Sequence, residues 1–380
     1  MKKVTWSSWL TRLVSLVLVV TLALVLCSAA SAQVTSENNE RLKNALERFP
    51  AADADSDGVL TLDEARAFRR ASRQDSAEQT PQGRQGKKRK QAESVQEKPT
   101  PTFENVAYGP HERNVLDFWK ADAKKPTPLV VFIHGGGFRA GSKDKVNAAI
   151  IERCLAAGVS CAAINYRYRT EVPLTEVLRD SARAFQLMRY KAKEWNIDKE
   201  RVASYGGSAG AGTSMWLAFH DDLADPDNPD PVLRESTRLT VACSNNGQFS
   251  YDIRQWVDVL GVPEDVFKQL YQPDLDQLSE AKERGVTDVE KLFADLDMRA
   301  MITKDDPPVF LFCSKADEEM TTRGIINHHP RQTTALKERC DEVGVEAVLY
   351  LKHGEKPEGA GSNIEEMLKF FFKHLEVNQG

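Results

Sequence analysis

The stretch RVASYGGSAG, Arg201 to Gly210, decides the fold. Val202 to Tyr205 form an apolar run that reads as a buried strand. The chain then passes through Gly206-Gly207-Ser208-Ala209-Gly210 into a helical pattern. A G-x-S-x-G sequence at a strand-to-helix junction permits a sharp turn that exposes the serine hydroxyl at a helix N-terminus. The pentapeptide alone is common; its place directly behind a strand gives it weight.

Upstream lies a second motif, His134-Gly135-Gly136-Gly137-Phe138, directly after the apolar run LVVFI. Glycines without side chains let backbone N–H groups converge on an anionic oxygen, the usual complement of such a serine. The two motifs stand in that order about seventy residues apart. Around them, TFENVAY and RNVLDFW read as an opening strand pair. PLVVFIHGGG, VSCAAINYR, RVASYGGSAG, LTVACS, PVFLFCS and EAVLYLK supply six more strands, separated by helical stretches such as VLRDSARAFQLMRYKAKEW. Strand–helix alternation predicts an α/β fold, a mostly parallel eight-stranded sheet flanked by helices. Residues 244–308, between the last two motif-bearing regions, predict a helical lid insertion. Phe249, Tyr251 and Trp256 there serve equally as pocket wall or as lid core.

Length and composition agree with this. The 380 residues are 41% hydrophobic and 28% charged, the profile of a globular protein, and a net charge of −5 implies no nucleic-acid surface. The basic run Lys87-Lys88-Arg89-Lys90 sits among polar residues and reads as solvated linker. At the N-terminus, Lys2, Lys3 and Arg12 precede an apolar run from Leu13 to Cys27, with Ala30-Ser31-Ala32 as a small-residue cleavage site. Residues 1–32 are therefore expected to be a signal peptide, giving a secreted or periplasmic protein with no stable membrane span after cleavage. Five cysteines remain beyond it; they read as buried small hydrophobes, with room for one disulfide.

Ahead of the main domain, residues 53–64 read DADSDGVLTLDE. Oxygen ligands at loop positions 1, 3, 5, 7, 9 and 12, with glycine at 6, are what a Ca²⁺ loop requires. Asp53, Asp55, Asp57, the Val59 carbonyl, Thr61 and Glu64 fill them, with Gly58 at the turn. Flanking segments have helical periodicity, so residues 38–72 resemble a single EF-hand. Extracellular sites of this kind bind calcium at about 10⁻⁴ to 10⁻³ M, which favours a structural or localising role. Residues 73–100 are polar and are expected to be a flexible linker to a domain spanning 101–376.

From about Phe103 to Leu375 the chain resembles the α/β-hydrolase superfamily, and within it the hormone-sensitive-lipase-like carboxylesterases and acetyl esterases. HGGGF, NYRYRTEVPLTEVLRD, WNIDKERVASYGGSAGAG and PPVFLFCSKADEE fall in that family's order. The resemblance implies Ser208 as nucleophile, the N–H groups of Gly136, Gly137 and Ala209 as oxyanion hole, and Asp317 as triad acid beside Glu318 and Glu319. The family places its histidine after the last strand, which favours His353, although here His353-Gly354 follows the strand almost at once. His328 and His329 are the rivals, with a place as substrate contacts if His353 is the base. The implied activity is hydrolysis of carboxylic esters, including acetyl or feruloyl groups on carbohydrates, with no cofactor for the hydrolytic step. An exopeptidase of the same fold, and a calcium-dependent binding protein without a base, are the alternatives.

Overall fold

The computed structural model describes residues 98–283 and 289–377, and in the N-terminal part residues 35–37, 49–61 and single positions between 42 and 68. The expected signal peptide (1–32) and the linker over 73–97 lie outside the described residues. The chain divides into two compact units, Met1–Ala92 and Glu93–Gly380.

The larger unit is built on eight strands: β1 Phe103–Ala107, β2 Val115–Trp119, β3 Thr127–Ile133, β4 Ser160–Ile164, β5 Ile197–Gly207, β6 Val241–Asn245, β7 Val309–Cys313 and β8 Ala347–Leu351. They form one sheet in the order β1-β2-β4-β3-β5-β6-β7-β8. β1 pairs with β2, and β2 with β4, antiparallel; all pairings from β4 onward are parallel. This is the sheet expected from the sequence. Among the described residues eleven helices surround it: α1 Ala148–Ala156, α2 Leu174–Tyr190, α3 Ala192–Trp195, α4 Ala209–Phe219, α5 Trp256–Leu260, α6 Glu264–Glu283, α7 Val289–Ala294, α8 Met298–Met301, α9 Arg323–Asn327, α10 Pro330–Val343 and α11 Asn363–His374.

Both faces of the sheet are covered, and the strands show why their sequences read as unbroken apolar runs. In β3, Leu129, Val131 and Ile133 join a core with Phe185, Met215 and Trp216. Val130, pointing the other way, packs with Ala163, Ala203, Phe310 and Phe371. Period-2 alternation thus sends successive residues into two different cores. α4 is buried along its whole length, as an all-round apolar helix must be. Fully burying each of its large side chains contributes about 1.5–3 kcal/mol.

The topology also sets the position of chemistry. β3 lies between β4 and β5, so the chain leaves β3 towards one side and returns on the other. Open α/β sheets bind ligands at such a switch point, at the carboxyl ends of the strands. Here Ile133 pairs with Gly206, so the glycine loop after β3 and the serine turn after β5 emerge side by side. Between β6 and β7 the expected insertion is helical, comprising α5 to α8. The five described cysteines are all buried free thiols, so the possible disulfide does not form.

Candidate active site

Ser208 sits at φ 53°, ψ −116°, a conformation costly for a residue with a side chain. Its neighbours make the turn possible. A Cβ on Gly210 would lie 2.0 Å from the Ile133 carbonyl oxygen, and one on Gly206 would lie 2.4 Å from the Gly210 backbone. Only glycine permits α4 to start this close to β3. The Ser208 N–H donates to the Asn245 carbonyl of β6 at 2.9 Å, fixing the turn to the neighbouring strand.

The glycine loop approaches from β3. Gly136, Gly137 and Phe138 all have positive φ (124°, 61° and 59°), and a Cβ on Gly136 would fall 2.0 Å from the Ala140 oxygen. Gly137, Ser208 and Ala209 line one cavity of about 280 Å³, walled by Tyr251, Trp256 and Tyr271. Among the described residues the N–H groups of Gly136, Gly137 and Ala209 have no backbone acceptor. Ala209 opens α4, and the first turn of a helix leaves such a donor unsatisfied and gives it partial positive charge.

Beneath the loop is a polar scaffold that sequence reasoning missed. His134 is fully buried and stacks on Tyr166 with ring centroids 4.1 Å apart. Arg113 donates to His134 Nε2 at 3.3 Å and to the Gly141 carbonyl at 3.2 Å. His134 Nε2 is therefore an acceptor, which leaves the proton on Nδ1, facing the Gly135 carbonyl at 2.9 Å. Burial holds its pKa down to about 4; the Gly135 carbonyl pulls it up and the Arg113 charge pushes it down. An unfolded chain protonates this imidazole near pH ~6.5, before the folded one does. Its contribution to stability is complete above that pH and is lost as pH falls from ~6.5 towards 4, by about 3 kcal/mol. Urea unfolding midpoints measured across this range should fall less steeply in His134→Asn than in the parent; parallel slopes would contradict this.

The structure places a different histidine on the serine from the one that strand context favours. His328 Nε2 lies 2.8 Å from Ser208 Oγ. His353 does not reach the serine. It sits exposed in a tight turn at the end of β8, where Gly354 N–H donates to the Leu351 carbonyl at 3.1 Å and Leu351 N–H to the Glu355 carbonyl. The chain reverses immediately, so the loop is too short to carry its histidine across. His328 instead arrives from the β7 side, as the C-cap of α9. Its Nδ1 lies 3.0 Å from the Gly324 carbonyl, which can only accept. The proton thus sits on Nδ1, and the Nε2 lone pair faces the serine hydroxyl.

Asp317 is not on that histidine either. Its Oδ1 lies 3.0 Å from Nε2 of His329, whose side chain is 1% exposed, while the Asp317 side chain is 68% exposed. His329 also caps α10, its Nδ1 accepting from the Arg331 N–H at 3.2 Å. Adjacent histidines have therefore divided the work: His328 takes the serine, His329 takes the aspartate and begins a helix. Of the three aromatic residues left open, Tyr251 and Trp256 line the cavity and Phe249 is buried core.

In the smaller unit, one carboxylate oxygen from each of Asp53, Asp55 and Asp57 lies within 4.8 Å of the others. Gly58 has φ 85°, and its N–H donates to Asp53 Oδ2 at 2.9 Å. Glu64 returns to the loop, accepting from Ala54 N–H and from both the N–H and hydroxyl of Thr61. Asp53 Oδ1 is buried with no hydrogen-bond partner. Leu60, Leu42 and Ala52 form a small core. Thr61 bridges to Thr35 antiparallel, and Leu60 exchanges two hydrogen bonds with Ser36.

The model of the BD-FAE family matches residues 116–324, over half the chain, a span that includes Ser208 and Asp317 and ends before His328. The Mycobacterium tuberculosis protein named "Probable carboxylic ester hydrolase LipM" is 25% identical over 253 residues, 65% of this chain and 53% of LipM. Carboxylic ester hydrolase LipN of the same organism is 33% identical over 111 residues, 28% of this chain and 30% of LipN. The chain thus spans about half or less of these curated relatives. Among solved structures, a truncated carbohydrate esterase from gut microbiota superposes with TM-score 0.53 at 20% identity, over 72% of this chain and 96% of that one. The butyrate-bound esterase Est2 of Thermogutta terrifontis gives 0.51 at 20% identity, over 70% and 90%. The chain has the α/β-hydrolase fold and belongs to the BD-FAE family.

Proposed function

We propose that this protein is an exported serine esterase that removes small acyl groups, acetyl or feruloyl, from carbohydrates. The observation that carries the reading is the 2.8 Å contact between Ser208 Oγ and His328 Nε2 beside the glycine loop. A serine hydroxyl becomes nucleophilic when a base within hydrogen-bond reach takes its proton. Nε2 takes that proton as Oγ attacks the ester carbonyl, and the Nδ1–H stays on the Gly324 carbonyl. The N–H groups of Gly136, Gly137 and Ala209 hold the oxyanion. The imidazolium then gives its proton to the leaving alkoxide. Water, activated by the same histidine, releases the acid from the acyl-enzyme and restores Ser208.

The carbohydrate preference draws support from the family and from the gut carbohydrate esterase among its structural neighbours. Export draws support from the charged and apolar pattern of residues 1–32. Among the described residues no helix is long and apolar enough to cross a membrane. The test is a panel of acetylated and feruloylated oligosaccharides beside simple aryl esters. Hydrolysis of aryl esters with none of the sugar esters would remove the carbohydrate assignment.

The acidic loop has the donors for a Ca²⁺ ion, and the orphaned Asp53 Oδ1 is the atom that would gain most from one. Asp53, Asp55, Asp57, Thr61, Glu64 and the Val59 carbonyl would hold it, an all-oxygen set suited to a hard cation. The ion would tie the turn and its small core together and take no part in ester cleavage. Calcium titration followed by calorimetry should give a Kd of about 10⁻⁴ to 10⁻³ M. Glu64→Gln should weaken it at least tenfold; an unchanged Kd would discard the site.

A further inference from the structure

The cavity at Ser208 is lined by three arginines, Arg139, Arg169 and Arg323, and by one aspartate, Asp274. Arg323 is committed: it is paired with Asp274 and lies over the Tyr271 ring, its guanidinium carbon 4.4 Å from the centroid. Arg139 and Arg169 are not. Among the described residues neither side chain has a hydrogen bond or ion pair, and both residues are exposed. They belong to one local frame, because the Arg169 N–H donates to the Phe138 carbonyl, next to Arg139, at 2.8 Å. Two guanidinium groups thus line the cavity beside the nucleophile, and the one carboxylate among its lining residues, Asp274, is already paired with Arg323. Nothing in the folding of the domain requires this, since exposed arginines can turn to solvent.

We propose that the ester substrate carries a carboxylate that Arg139 and Arg169 bind, which makes the preferred carbohydrate a uronic-acid-containing one. This rests on the carbohydrate-ester reading above. The cavity already contains a carboxylate–guanidinium pair, Asp274 on Arg323, and a substrate carboxylate would complete the same pairing on the free side. Guanidinium forks match planar carboxylates in two-point contact, and such charge-assisted bonds are about twice as strong as neutral ones. Substrate approach would be steered as well, since a cleft of one sign raises the local concentration of its counter-ion.

The experiment uses the full chain with Ser208→Ala, which holds substrate uncleaved, and two ligands differing at one carbon. Methyl 2-O-acetyl-glucuronoside has a carboxylate at C6 where methyl 2-O-acetyl-glucoside has a hydroxymethyl group. Calorimetry at low salt should show the uronoside binding at least tenfold tighter, about 1.4 kcal/mol. The gap should narrow at 0.5 M salt, close in Arg139→Gln/Arg169→Gln, and partly return in Arg139→Lys/Arg169→Lys. Equal Kd values, or a gap that survives the glutamine pair, would overturn the proposal. Hydrolysis by the parent protein is measured in parallel. Equal binding with cleavage of both esters refutes the anion preference and leaves the esterase intact. Selective binding with cleavage of neither does the reverse.

Discussion

Ser208→Ala is expected to lower kcat on an acetyl ester by about 10⁴- to 10⁶-fold, with KM little changed. The loss is large because no second nucleophile is placed to compensate. The thiols on the neighbouring strands β6 and β7, Cys243 and Cys313, are buried, and burial raises both pKa values, keeping them as inert thiols. Alanine has nearly the volume of serine and can occupy the same turn, so the fold should survive, as circular dichroism would verify. Residual rate over water would come from the Gly136, Gly137 and Ala209 donors. Retention of full activity would remove the serine mechanism altogether.

The second large effect separates the histidines. His328→Ala should lower kcat by about 10⁴-fold or more, since it removes the imidazole that meets Ser208 Oγ. His353→Ala should leave kcat within about twofold, because that side chain stands exposed in the turn beyond β8. Asp317→Asn falls between them. Its carboxylate touches His329 and acts on the base only through the shared backbone, so a loss of about tenfold or less is expected. A family-type triad would lose about 10⁴-fold at the aspartate. Initial-rate kinetics on the three variants settles the order; a loss at His353 larger than at His328 would reverse the assignment.

The eight strands were legible because burial on both faces leaves continuous apolar runs, which survive any uncertainty about register. The serine turn and the glycine loop were legible because each is a local demand of the backbone, written in adjacent residues. The histidine that meets the serine was not, because that depends on which loop crosses the sheet edge, a matter of length and direction. Strand context favoured His353; two residues of turn after Leu351 were enough to defeat it. Pro330 held the usable signal. A proline opening a helix makes His329 the cap, and that leaves His328 at the preceding turn, free to face inward. Asp317 lies beyond β7 and meets His329, a choice between two adjacent histidines that spacing could not make.

Asn327, the residue before the base, is held from the insertion on two sides. Its carbonyl accepts from Gln248 and its side-chain oxygen from the Tyr271 hydroxyl, each at 2.6 Å. The roof of the cavity and the aim of His328 are thus one mechanical assembly. Lifting the roof to admit a bulky ester strains the same two hydrogen bonds that keep the imidazole on the serine. The two bonds act as an interlock: the imidazole stays in register with Ser208 only while Gln248 and Tyr271 keep their places over the cavity.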